Sequence, residues 1–154
     1  MNARFMKATY VLLRVVAGFL FLCHGGQKLF GWFGGMGPGG GHVELASQMG
    51  IAGTLEFFGG LAILMGFMTR PVAFLLAGEM AWAYFTVHQP NAPLPIQNHG
   101  EPAALFAFVF LFFATHGAGA FSVDAALGHS RRERDMAKGA LRRRTDEPFP
   151  GHAA

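Results

Sequence analysis

Four apolar stretches run through this chain, and each carries a charge that hydrocarbon would reject. Arg14 and Lys28 interrupt the first, Glu56 the second and Glu79 the third, while Glu101 stands at the mouth of the fourth. A lone charge in the middle of a bilayer costs roughly 2.5–3.5 kcal/mol on insertion scales. Residues that survive such a cost face one another inside a bundle. They therefore mark both how the helices pack and where chemistry is to be sought.

The chain is 52% hydrophobic and only 14% charged, against about 25% charged in an ordinary soluble domain. Phenylalanine alone occurs 17 times. The reading is an all-α, polytopic membrane protein, a bundle of four transmembrane helices over about 9–33, 51–68, 71–88 and 101–121. Segments of this length cross a core of about 30 Å, the fourth only with its ends counted. GGMGPGGG and QPNAPLPIQNHG connect them as glycine- and proline-rich loops. Thr69-Arg70-Pro71 reads as a tight turn, and Asn98 and Glu101 have capping-box spacing before the fourth helix. Arg4 and Lys7 before an apolar run resemble a signal peptide, but Arg14 breaks that run and no small-residue cleavage site precedes a soluble domain.

Charge gives the orientation. Residues 1–127 hold five basic and five acidic groups, whereas 128–154 hold seven basic and four acidic ones and so carry the whole formal +3. Arg4, Lys7, Arg70 and the tail fall on one side of a four-span zigzag, and the two long loops contain no Lys or Arg. The positive-inside rule then places both termini in the cytoplasm, with 128–154 a basic tail drawn to anionic lipid. No pattern for reading nucleic-acid bases is present.

A rise of about 1.5 Å per helical residue sets the depth of each polar group. His24, Lys28, Glu56, His88, Asn98, His99 and Glu101 converge on one level in the outer half, with Gln27 an eighth candidate. Arg14, Gly18, Phe21, Gly25 and Lys28 repeat at bundle-facing spacing, and Gly53, Gly59 and Gly60 keep the face around Glu56 small. Lys28, His24 and Glu56 are the candidate catalytic set, and Gln27, His88, Asn98, His99 and Glu101 the candidate ligand contacts. Lys28–Glu56 reads equally as a bridge that fixes helix pairing. Arg14 and Glu79, both mid-to-inner, read as a structural ion pair. Glu79 and His88 differ by nine residues, half a turn out of phase, so they share a site only if the helix unwinds near His88. His24, His42, His88 and His99 lack paired metal-ligand spacing, so no metal is assigned. Cys23 is the single cysteine and forms no intramolecular disulfide.

Over about 10–124 these residues resemble the DoxX family of small bacterial membrane proteins. The resemblance rests on His24-Gly25-Gly26-Gln27-Lys28-Leu29-Phe30-Gly31, Glu56 with Gly59-Gly60, Gly66, Thr69-Arg70, Glu79, and Phe85 to His88. It continues through Asn98-His99-Gly100-Glu101, Gly117-x-Gly119 and Ser122-Val123-Asp124. It implies a four-helix protein of the bacterial inner membrane tied to redox chemistry, since relatives include the membrane subunit of a thiosulfate:quinone oxidoreductase. A quinone would be the cofactor, lipid the surroundings, and another redox subunit the partner. The chain has no flavin, haem or iron–sulfur signature. The expectation is a membrane subunit or accessory protein that binds a quinone or similar small molecule in an outer-half polar pocket. The alternative is a non-enzymatic lipid or ligand binder, transporter or assembly factor.

Overall fold

Asn2 opens the first helix by accepting the Arg4 N–H at 3.1 Å, and α1 then runs Ala3–Phe30. The structure, a computed structural model, describes residues 2–128, so the basic tail from His129 lies outside the described residues. Ser47 caps α2, Gln48–Met65, by accepting the Gly50 N–H at 3.1 Å. Only Gly66 to Met68 separate α2 from α3, Thr69–Ala83, which runs on through a π-turn at Tyr84–His88. A short α4, Pro95–Asn98, leads to α5, Glu101–His116. No strand occurs among the described residues.

The helices lie as two pairs. In the first, glycine faces of α1 and α2 bring the backbones together. A Cβ at Gly60 would reach the Gly18 carbonyl oxygen at 2.8 Å, and one at Gly53 would come within 2.8 Å of the Lys28 Cβ. Close backbone approach through small residues is how helices associate where lipid removes the hydrophobic drive between them. In the second pair Ala73, Leu76, Ala77 and Met80 of α3 pack with Ala103, Phe110 and Phe113 of α5. Phe21 joins the pairs, stacking edge-on against Phe110 with ring centres 4.4 Å apart.

Polarity is inverted relative to a soluble domain. Arg14, Lys28, Glu56, Thr69 and Asn98 are buried, whereas Phe74 is 69% and Phe108 71% exposed. Outward apolar faces with charges turned inward match a lipid surround. By length and composition α1 and α2 each suffice to cross a membrane.

One end is held by a charge knot that the sequence reading did not foresee. Arg14, 1% exposed, donates to the Ala118 carbonyl and, at 2.8 Å, to the Phe121 carbonyl. The Tyr10 hydroxyl donates to the Gly117 carbonyl. Asp124 accepts the Met68 and Thr69 N–H groups at 2.8 and 2.9 Å. It thereby supplies the N-terminus of α3 with an anion from a distant segment, where the helix dipole favours one. Gly66 has φ 67 and no room for a side chain, because a Cβ would lie 2.6 Å from Arg14 Nη1. The expected Arg14–Glu79 pair does not form: the guanidinium is occupied by carbonyls at this end, and Glu79 lies in the other half.

Element ends also differ from expectation. The α2–α3 turn is Gly66 to Met68, and Thr69 and Arg70 are already helical, with Pro71 still in the first turn. Helix α5 stops at His116, because Gly117 takes φ 80. The Asn98–Glu101 capping box is absent. Asn98 Oδ1 accepts the Gly100 N–H at 2.8 Å instead, and Gly100 is the N-cap residue of α5.

Replacing Arg14 by Met should leave two carbonyls without their donor, at about 1–3 kcal/mol each. A lower melting temperature of the purified protein in detergent, with the Lys28–Glu56 end of the bundle intact, is the expected reading.

Candidate functional site

Lys28 occupies the last turn of α1, where a cation suits the helix dipole. Its stem lies over Gly53, and its ammonium donates to Glu56 Oε1, one turn further along α2. Lys28 is 8% and Glu56 4% exposed, so the pair is withdrawn from solvent and lipid alike. Glu56 Oε2 has no hydrogen-bond partner among the described residues, nor has either oxygen of Glu79, though all three atoms are buried.

These groups face a cavity of about 530 Å³ between the two helix pairs. Its polar lining is His24, Lys28, Gln48, Glu56, Glu79 and His88. Phe21, Met36, Met80 and Phe106 make much of its apolar wall. Met36 arrives from the glycine-rich loop, which is tied down where the Val43 N–H donates to the Lys28 carbonyl at 2.9 Å. His24 is exposed at the cavity margin.

His88 enters the cavity because α3 widens. The π-turn at Tyr84–His88 changes the helical phase after Glu79, and both side chains come to line one space. Asn98 holds His88 in place: its carbonyl contacts His88 Nδ1 at 3.1 Å, and its amide donates to the Ala92 carbonyl at 2.8 Å.

Four of the expected ligand contacts lie elsewhere. Gln27, next in sequence to Lys28, is rotated off the cavity and half-buried. Asn98 spends its polar atoms on loop backbone. His99 takes φ 56 and turns outward, exposed. Glu101 is exposed at the start of α5, and its successors Pro102 and Ala103 line the cavity instead. Glu79 is the residue that depth counting assigned to the wrong cluster. A signal for it was present: Glu56 and Glu79 stand eleven and twelve residues either side of Phe67, the middle of the turn. Two antiparallel helices joined so tightly must carry them at one height. Among the described residues no three His, Cys, Asp or Glu side chains gather as metal ligands do.

The arrangement offers a cation–carboxylate pair, a second carboxylate with both oxygens free, and two imidazoles, all against apolar walls. The DoxX family model matches residues 9–89, a span that includes Lys28, Glu56, Glu79 and His88. The chain belongs to the DoxX family. It is 38% identical over 115 residues to an uncharacterized protein of Haemophilus influenzae, covering 73% of this chain and 85% of that one. It is also 30% identical over 132 residues to the inner membrane protein YqjF of Escherichia coli, covering 76% and 90% respectively. No solved structure matches it. With its apolar helices, this DoxX protein is an integral protein of the bacterial inner membrane.

Lys28→Met should cost about 3–5 kcal/mol, because it strands the Glu56 carboxylate in a buried site. The double change Lys28→Met with Glu56→Leu should recover most of that loss. Thermal denaturation of the three variants in one detergent checks both statements.

Proposed function

We propose that this DoxX protein binds a quinone or similar small neutral molecule in the chamber, as the membrane subunit or accessory protein of a redox system. The observation that carries the reading is the lining: a few convergent polar groups on apolar walls, in a space of the size small ligands occupy. A quinone has two carbonyl oxygens that need donors and an apolar ring that needs dry walls. Lys28 supplies a donor and stabilises charge that develops on reduction. His24 and Glu56 exchange protons at the ring oxygens. Conversion of a quinone to a quinol takes two electrons and two protons; the chain's own residues handle the protons, and a partner redox subunit supplies the electrons.

Charge balance favours this reading over capture of a small anion. The ammonium of Lys28 is already matched by Glu56, so an incoming anion meets no uncompensated positive charge. A neutral ligand with both acceptor and donor forms is better suited.

The membrane arrangement belongs to the same proposal. Four crossings with both termini in the cytoplasm put the Arg14 knot inside and the chamber in the outer half. The fifteen residues of α3 with the five of the π-turn are long enough for one crossing. Exposed Arg70 beside the α2–α3 turn agrees with the positive-inside rule.

Two experiments test the proposal. The Lys28→Met, Glu56→Leu double variant should insert and fold, yet bind a water-soluble benzoquinone at least about tenfold more weakly, a loss of roughly 1.4 kcal/mol. Unchanged binding would leave the pair a purely structural bridge. For topology, a periplasm-dependent phosphatase inserted near Gly39 should be active and one inserted near Phe67 inactive; the opposite pattern reverses the orientation.

A further inference from the structure

A second cavity, about 670 Å³, runs along the outside of α2 and α3. Ile51, Leu55, Phe74 and Leu75 line it, and Phe74 and Leu75 are 69% and 54% exposed, so the groove opens where lipid lies. Gln48, Ala52, Glu79 and Trp82 line both this groove and the chamber. The two spaces are therefore neighbours across one row of side chains, with the unpartnered Glu79 carboxylate in that row.

Gly78 bears on what the groove is for. A glycine inside a helix costs about 1 kcal/mol relative to alanine, so one usually has a packing reason. The glycines of α2 have one, because backbone or side chains press on them. A Cβ at Gly78 would meet nothing within 4 Å. Its backbone is ordinary helix. What the missing side chain leaves is the open floor of the groove, beside Glu79. The buried oxygens of Glu79 in turn lack a hydrogen-bond donor that a ligand's hydroxyl would provide.

Resting on the chamber reading above, we propose that the groove between α2 and α3 is a lateral portal. A membrane-dissolved ligand passes its head over Glu79 into the chamber and leaves its apolar tail lying in the groove across Gly78. From Pro71 to Trp82 the groove follows α3 for on the order of 16 Å, at about 1.5 Å per residue. The tail exchanges lipid contact for contact with Phe74 and Leu75, and the head gains the polar groups that lipid lacks. Glu79 is a positioning group at the sill.

The test compares two probes on the purified full-length protein in nanodiscs: decylubiquinone and the same headgroup without a tail. Gly78→Leu fills the groove floor without touching the chamber. It should weaken decylubiquinone about tenfold or more, the worth of two buried methylenes, and leave the tail-less headgroup within about twofold. Phe74→Ala, which removes an exposed wall, should act in the same direction at an unchanged melting temperature. If the wild type holds the headgroup but gains nothing from the tail, or if Gly78→Leu weakens both probes equally, the portal is overturned and the chamber stands. If the wild type binds neither probe, the chamber reading falls and the portal with it. A phospholipid or a second copy of the chain retained in native mass spectrometry, and released by Gly78→Leu, overturns the proposal in favour of that occupant.

Discussion

The Lys28–Glu56 pair can close only because α1 and α2 touch backbone to backbone, and they touch because glycine faces glycine. Gly53 gives the lysine stem somewhere to lie, and Gly18, Gly25 and Gly60 bring the helix axes close enough for one side chain to reach the other. With a larger residue at these positions the ammonium and carboxylate would be separate buried charges, each costly in hydrocarbon. Packing and electrostatics here are one constraint. The chamber exists on the far side of the pair, where α3 and α5 stand off from the tightly joined α1 and α2 and leave space.

The two charged clusters do different work. At the end beside the α2–α3 turn the charged groups are engaged chiefly by backbone: Arg14 donates to the Ala118 and Phe121 carbonyls, Asp124 accepts from the first N–H groups of α3 and Tyr10 donates to the Gly117 carbonyl, while Arg14 Nε and Thr69 Oγ1 are buried there without partners among the described residues. A cluster whose side chains bond to backbone of distant segments holds those segments together. Around the chamber one oxygen of Glu56 and both of Glu79 are left without partners and buried. Unsatisfied buried acceptors beside an open space are what a ligand-binding site leaves when its ligand's bonds are not counted. What distinguishes the two clusters is the cavity that Glu56 and Glu79 line, rather than the presence of unpartnered atoms, which both have.

Much of this was legible beforehand. The buried stripe of α1, from Arg14 through Gly18, Phe21 and Gly25 to Lys28, follows from residue spacing alone, and so does the small face around Glu56. The pairing of charges was harder. Arg14 and Glu79 were matched because each appeared alone at a similar depth, yet Arg14 lies level with Gly66, which the chain reaches about ten residues below Glu56. The loop 89–100 was misjudged for another reason. Asn98, His99 and Glu101 are polar and adjacent in sequence, but an irregular backbone uses Asn98 to satisfy itself and turns His99 and Glu101 outward.

Composition and periodicity were enough to establish a helical membrane chain, its inward-facing stripes and the need for Lys28 and Glu56 to have partners, because the cost of charge in lipid acts on every arrangement alike. Which carboxylate joins which cluster depended on a three-residue turn that sets α2 and α3 in register. Whether His88 meets Glu79 depended on a π-turn, whose single extra residue per turn leaves no trace in hydrophobic spacing. Carbonyl acceptors, likewise, are identical at every position of the chain until the fold decides which of them are left free, so the partners of Arg14 came only with the assembled bundle.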